Sequence, residues 1–162
     1  MKMILASQSP RRRELLERMG ISQFEVIPAE GEEIIEPALT PAELVETLSR
    51  RKCAEVAAAH PEALIIAADT VVSIDGRILG KPQNKTEAAD MLAALSGREH
   101  VVYSGLTVFC GGETVTEHDA SAVRFRPLTG AEIERYIATG EPMDKAGAYG
   151  IQGYGSVLVE GI

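Results

Sequence analysis

Three consecutive arginines, Arg11, Arg12 and Arg13, stand in the first turn of a predicted helix, where cations are electrostatically unfavourable. A helix N-terminus carries partial positive charge and unpaired N–H groups, so arginines there are repelled unless an anion joins them. Ser7 and Ser9 add hydroxyl donors beside them. The pattern favours a phosphate-binding site over the alternative, a cluster of solvated arginines.

Asp69 is a second candidate, because it follows the apolar residues 64–68 and precedes Thr70. An unpaired carboxylate in a core is costly, so Asp69 requires a partner, a metal ion or solvent. Two interpretations stay open: a hydrogen-bonded residue that fixes a loop, and a metal ligand or base for water. The neighbouring acidic pair, Glu32 and Glu33, would complete a hard-oxygen site for Mg²⁺ or Mn²⁺, although acidic pairs in loops are usually only solvated.

Two lysines occupy informative positions. Lys52 interrupts an apolar stripe that repeats every four residues from Leu44 to Val56, so it either reaches the surface or points into a polar site. Lys81 lies in a Gly-Lys-Pro tripeptide, which favours a fixed loop. Neither lysine belongs to a Walker-type phosphate loop, so the chain is not a P-loop enzyme.

Glycines recur at every third position over residues 147–153. One interpretation is a turn braced by Asp144 and Lys145. The other is close approach of the backbone to a ligand, with Gln152 offering both an amide donor and an acceptor to a base edge. The glycine spacing does not match a dinucleotide-binding fingerprint.

Composition limits the class of protein. The 162 residues, of which 45% are hydrophobic, suffice for one core, and a single domain over residues 1–162 is predicted. The net charge of −8 and the scarcity of aromatic residues argue against nucleic-acid binding. No apolar run is long enough to span a membrane and no signal peptide is evident, so a cytoplasmic protein without a membrane partner is expected.

Hydrophobic periodicity alternates between strand and helix patterns, which predicts an α/β or α+β fold. Strands are predicted at residues 3–6, 24–28, 63–74, 77–79, 101–109, 114–118, 120–125 and 157–160. One helix is predicted to start at Pro10 with Ser9 as its cap, and another covers residues 86–95. Capping-box patterns at Thr40 and Thr129 open two more helices.

Five segments together carry a specific resemblance. They are SQSPRRRELL (7–16), ADT (68–70), GKP (80–82), LSG (95–97) and DKAGAYGIQG (144–153). In this order they resemble the Maf family over nearly the whole chain. The resemblance implies a nucleoside triphosphate pyrophosphatase with an elongated mixed β-sheet, flanking helices and two lobes around a deep cleft, related to inosine triphosphate pyrophosphatases. The last segment is similar to the branch that acts on dTTP and UTP, and not to the branch that acts on 7-methyl-GTP.

The resemblance also implies residue roles. Asp69 corresponds to the acidic catalytic residue and a metal ligand. Positions tied to substrate choice are Arg11, Thr70 and Gln152. Positions tied to phosphate and metal chemistry are Arg12, Lys52, Lys81 and Glu33, and Glu32 is an equal candidate for the metal.

The implied reaction yields a nucleoside monophosphate and pyrophosphate, with Mg²⁺ or Mn²⁺ orienting a water molecule for attack at the α-phosphorus. The family also suggests a homodimer, removal of surplus nucleotides, a link to septum formation, and a C-terminal segment that continues beyond the position of Ile162. The alternative is a nucleotide-sensing regulator that does not hydrolyse its ligand. Carboxylates beside bound phosphates favour the enzyme, because they repel the phosphates unless a metal intervenes.

Overall fold

The protein is organised by one mixed β-sheet, in a computed structural model that describes residues 1–31 and 38–162. The strands are β1 (Met3–Leu5), β2 (Glu25–Val26), β3 (Leu64–Ile74), β4 (Arg77–Leu79), β5 (Glu99–Cys110), β6 (Glu113–Phe125) and β7 (Val159–Gly161). The helices are α1 (Pro10–Arg18), α2 (Pro41–Ala59), α3 (Lys85–Leu95) and α4 (Gly130–Ala138). The predicted mixed α/β class is confirmed.

The strand order is β2-β1-β3-β5-β6-β7, with β4 paired to β3. β1 runs parallel to both β2 and β3, and its residue Leu5 pairs with Val26 on one side and Ile66 on the other. The hairpin partners β3 and β4 are antiparallel, as are β6 and β7. The parallel part of the sheet therefore lies around β1.

The chain divides into two compact units. The first unit comprises Met1–Asp69 and Ser104–Asp119, and the second comprises Thr70–Tyr103 and Ala120–Ile162. The division falls inside β3, between Asp69 and Thr70. Each unit has its own hydrophobic core.

The core of the first unit forms between β1, β3 and α2. Thr40 and Glu43 form the predicted capping box at the start of α2, each side chain bonding the other residue's backbone N–H. Cys53 and Val56 of α2 are buried with Ile65 of β3. These contacts fix which face of α2 is turned toward β3.

The core of the second unit includes an aromatic cluster of His100, Phe125 and Tyr149. His100 Nε2 and the Tyr149 hydroxyl are 2.7 Å apart. Burial lowers the pKa of His100 from 6.5 to about 4 and raises the pKa of Tyr149. A buried, neutral histidine therefore lies in this core.

Three local predictions differ from the structure. Residues 114–118 and 120–125 form one strand, β6, because its neighbour β5 continues alongside and supplies backbone partners through the polar residues between them. The last strand starts at Val159, two residues later than predicted, since Tyr154–Leu158 forms a 3₁₀ helix. Ser9 occupies the N-cap position of α1, but its hydroxyl makes no capping hydrogen bond to the residues that the structure describes.

The membrane prediction concerns helices. Among the helices in residues 1–31 and 38–162, none has the length and apolar character needed to cross a membrane.

Candidate active site

The centre of the candidate site is an ion pair in the first unit between Lys52 on α2 and Asp69 in the middle of β3. The lysine ammonium donates to the carboxylate, and the two side chains are 20% and 8% exposed. Burying a carboxylate is costly without a partner, and Lys52 meets that requirement. Of the two interpretations left open for Lys52, the structure shows the one in which it points to a polar group.

Lys52 and Asp69 meet because α2 packs on the buried face of β3. Ile65, Ala67 and Asp69 alternate with half-buried residues and share that face. Cys53 and Val56 of α2 lie in one core with Ile65 and Ala67. Lys52 is next to Cys53 on the same helix, and its side chain extends to Asp69.

A second polar group surrounds the Ser7 hydroxyl, which is buried at the end of β1. Its oxygen accepts a hydrogen bond from the backbone N–H of Ser9 at 3.2 Å and another from Arg12 Nη1 at 3.0 Å. Ser7 therefore holds the entry to α1 and fixes the guanidinium of Arg12.

The three arginines of α1 have different environments. Arg13 is exposed and pairs with Glu17 one turn later, at 3.0 Å. Arg12 is half-buried against Ser7, whereas the half-buried Arg11 forms no ion pair with any residue in the described ranges. The first turn of α1 contains no acidic residue. Of the three arginines, Arg13 is therefore neutralised within the helix by Glu17.

The parallel register of β1 and β3 brings the two polar groups to similar heights along the strands. It pairs Leu5 with Ile66, and the N–H of Ala6 donates to the Ile66 carbonyl at 2.8 Å. Ser7 and Asp69 lie two and three residues beyond these paired positions. Ser7 therefore follows the end of β1, while Asp69 lies within β3 just past the part of that strand that pairs with β1.

Three further predicted residues, Thr70, Lys81 and Gln152, belong to the second unit. Thr70 is half-buried, and both Lys81 and Gln152 are exposed. The side chain of Gln152 forms no hydrogen bond with the residues that the structure describes. Its amide is thus available to an external partner.

The glycine-rich segment is tied to the Lys81 loop through Gly147. The N–H of Gly147 donates to the carbonyl of Gly80 at 3.0 Å. Gly147 has a φ of +67°, and an added Cβ would come within 2.7 Å of the Val72 side chain. Only glycine fits this close approach, so Gly147 is required for backbone packing.

Comparison with known proteins identifies the family. A family model described as Maf-like protein matches residues 2–162. The chain belongs to the Maf family. The resemblance predicted from the five sequence segments is confirmed.

Relatives in the family carry a consistent name. A protein of Moorella thermoacetica named dTTP/UTP pyrophosphatase is 53% identical over 164 residues, covering 99% of this chain and 84% of the relative. A protein of the same name from Symbiobacterium thermophilum is 47% identical over 161 residues, covering 99% and 82%. The sequence similarity therefore extends through every segment of the candidate site.

A solved structure shows the same fold at low sequence identity. The nucleoside-triphosphatase/dITP/XTP pyrophosphatase of Mycobacterium abscessus superimposes with a TM-score of 0.53 at 18% identity. The match covers 97% of this chain and 93% of the other. The match shows that the two proteins share a fold.

The described residues supply one of the predicted metal ligands. Asp69 has the hard oxygen donors that Mg²⁺ and Mn²⁺ prefer. The other predicted ligands, Glu32 and Glu33, lie outside the described residues. Within the ranges that the structure describes, no three His, Cys, Asp or Glu side chains form a group able to hold an ion.

Sequence reasoning missed Glu55, which lies one turn after Lys52 on α2. Its carboxylate accepts hydrogen bonds from the backbone N–H groups of Glu30 at 2.6 Å and Gly31 at 3.1 Å. Glu55 thereby anchors the chain immediately before the predicted ligands Glu32 and Glu33. The spacing of three residues from Lys52 is a signal, because residues so spaced share one helix face.

Proposed function

We propose that this Maf protein hydrolyses dTTP and UTP to the nucleoside monophosphate and pyrophosphate. The observation that carries the proposal is the Lys52–Asp69 ion pair, which holds a buried carboxylate within β3 just past the part of the strand that pairs with β1. The name dTTP/UTP pyrophosphatase, shared by relatives about half identical to this chain, supports the choice of substrate.

The triphosphate is proposed to bind at the start of α1. Arg11 and Arg12 offer guanidinium groups in a helical turn that contains no acidic residue, and backbone N–H groups there favour an anion. Because Ser7 already fixes Arg12, less conformational entropy is lost when phosphate binds. These contacts are independent of the base, so they serve every nucleoside triphosphate alike.

Asp69 is proposed to act as the base that receives a proton from the attacking water. Lys52 holds the carboxylate in one orientation and places a positive charge near the scissile phosphoryl group. Attack at the α-phosphorus breaks its bond to the bridging oxygen and releases pyrophosphate. Lys81 is proposed to stabilise negative charge on the phosphates during this step.

A divalent cation belongs to the proposal through Asp69, with Glu32 or Glu33 as additional ligands. When bound, Mg²⁺ or Mn²⁺ would neutralise phosphate charge and make a coordinated water molecule more acidic. The carboxylate of Asp69 suits such an ion, and its pairing with Lys52 limits how many of its oxygen lone pairs remain for coordination.

Base choice is proposed to rest on Gln152, with Thr70 and Arg11 as the other contributors. The amide of Gln152 presents a donor and an acceptor side by side, which matches the carbonyl and N3–H shared by uracil and thymine. Cytosine instead presents an unprotonated N3 and an amino group. The change Gln152→Leu should therefore lower kcat/KM for dTTP and UTP by an amount equivalent to about 1–3 kcal/mol of transition-state stabilisation. It should also change the order in which the enzyme prefers the nucleoside triphosphates.

The deciding experiment measures pyrophosphate release from all the common nucleoside triphosphates, with Mg²⁺, with Mn²⁺ and with a chelator. We expect dTTP and UTP to be cleaved at comparable efficiency, ahead of CTP and the purine nucleotides. Asp69→Asn should abolish release in a folded protein. Tight nucleotide binding by the wild type without any product would refute hydrolysis and support the sensing regulator.

A further inference from the structure

The glycine-rich loop that presents Gln152 is held from behind at two backbone positions. The Tyr136 hydroxyl accepts a hydrogen bond from the N–H of Gly150 at 3.1 Å. Glu141 Oε2 accepts one from the N–H of Tyr154 at 2.7 Å. Gln152 lies midway between these two anchors, so its backbone position is set by groups outside the loop.

Glu141 packs against the loop more closely than a surface glutamate would. A Cβ added at Gly153 would collide with Oε1 of Glu141, so the carboxylate fills the space of the missing side chain. That Oε1 atom is buried and has no hydrogen-bond partner in the described part of the chain. A buried carboxylate oxygen without a partner lowers the stability of the protein. An alanine or leucine at this position would not carry that cost.

The position of Glu141 is itself fixed by the end of α4. Its backbone N–H donates to Thr139 Oγ1 at 3.2 Å, and that hydroxyl donates to the carbonyl of Tyr136 at 2.6 Å. The same tyrosine supplies the second anchor of the loop. The C-terminal end of α4 therefore positions both anchors of the loop, Tyr136 and Glu141.

We propose that Glu141 is a positioning residue that sets base selectivity by holding the Gln152 loop in one conformation. The side chain of Gln152 has no hydrogen bond of its own in the described ranges, so the region that its amide can reach is set by the backbone, which the two anchors hold together with the turn bond from the Gly153 N–H to the Gly150 carbonyl. The inference rests on the proposed function, because it assigns Glu141 to the base end of the same substrate.

The test separates the base end of the substrate from its phosphate end. Inorganic tripolyphosphate carries the phosphate chain without a base, and its inhibition constant therefore reports on the phosphate site alone. For Glu141→Ala we expect KM for dTTP to rise about tenfold, the equivalent of one charged hydrogen bond. We expect kcat to stay within twofold and the tripolyphosphate inhibition constant to stay unchanged. The preference for dTTP over CTP should fall.

Three further variants complete the experiment. Glu141→Gln keeps an oxygen acceptor for Tyr154, so it should restore most of the selectivity. Tyr154→Pro removes the N–H donor while leaving Glu141 in place, and should repeat the alanine result even where Glu141→Ala does not fold. Glu134→Ala is the matched control, because Glu134 is exposed on α4 and forms no hydrogen bond with the described residues.

The outcomes distinguish this inference from the proposed function. Failure of the wild type to release pyrophosphate from dTTP or UTP would refute the proposed function. An active wild type whose selectivity is unchanged in both Glu141→Ala and Tyr154→Pro would overturn the positioning role. A parallel rise in the dTTP KM and in the tripolyphosphate inhibition constant would also overturn it, since that pattern reports a general structural defect.

Discussion

Removing Lys52 should destabilise the protein more than removing its partner, because the two groups are unequally buried. In Lys52→Met the carboxylate of Asp69, which is 8% exposed, loses its cation inside the protein. In Asp69→Asn the ammonium of Lys52, which is 20% exposed, can turn toward water. The two single variants therefore leave different charges behind, and only one of them is well buried.

The magnitude follows from the cost of an uncompensated buried charge. Breaking a fully buried ion pair from one side costs about 3–5 kcal/mol. Partial exposure of the lysine and the further contacts of both residues reduce this, so we expect about 2–3 kcal/mol for Lys52→Met. Asp69→Asn keeps the shape of the side chain and should cost about 1 kcal/mol. The double variant should also lie near 1 kcal/mol, which gives a coupling of about 2–3 kcal/mol.

The assay combines urea unfolding of the four proteins with pyrophosphate release from dTTP. A positioned general base contributes a factor of about 10²–10⁴ to the rate. Asp69→Asn and the double variant should therefore lose activity by a factor of at least about 10². The double variant is the informative protein, because its stability should recover while its activity does not. Additive effects of the two single changes on stability would refute the ion pair, and an active double variant would refute the catalytic role of Asp69.

Three other predictions concern packing, phosphate binding and pH. Gly105→Ala should destabilise the protein by about 1–3 kcal/mol in urea unfolding, because the added methyl group collides with a backbone carbonyl of α2; Gly130→Ala meets open space and should be nearly neutral. Arg12→Ala should raise KM at least tenfold for every triphosphate in steady-state kinetics, whereas Arg13→Ala, which removes an exposed pair, should change it less than twofold. Because burial lowers the pKa of His100 from 6.5 to about 4, the unfolded state binds a proton that the folded state does not, and stability should fall by up to about 3 kcal/mol as the pH drops through this range. Urea midpoints measured against pH should show this loss, and His100→Gln should flatten it; equal slopes in the two proteins would contradict the assignment.

Local signals predicted the elements well where both ends of an interaction lie within a few residues. The capping boxes at Thr40 and Thr129 are three-residue patterns, and both form as predicted. The Asp75-Gly76 hairpin is equally local, and both residues have the positive φ that such a turn requires. Sequence alone was sufficient in these cases because the partner of each group is a near neighbour.

Long-range partners explain what the sequence left open. Lys52 and Asp69 are 17 residues apart in the chain, and their contact depends on how α2 packs on β3. Nothing in the periodicity around Lys52 could choose between a surface position and a polar one. The arginine triplet shows the same limit, since Ser7 determines the environment of Arg12 through a backbone turn that composition does not reveal. The proposed roles of both groups stay predictions until the variants are measured.

Separate contacts support Gln152 and the Lys52–Asp69 pair. Ser7, Arg12 and the Lys52–Asp69 pair are held by hydrogen bonds and ion pairs within the first unit. Gln152 is carried by a loop whose anchors, Tyr136 and Glu141, both belong to the second unit. A substitution at either anchor therefore leaves the contact between Lys52 and Asp69 intact. The proposed contribution of Gln152 to base choice can thus change while this ion pair keeps its own support.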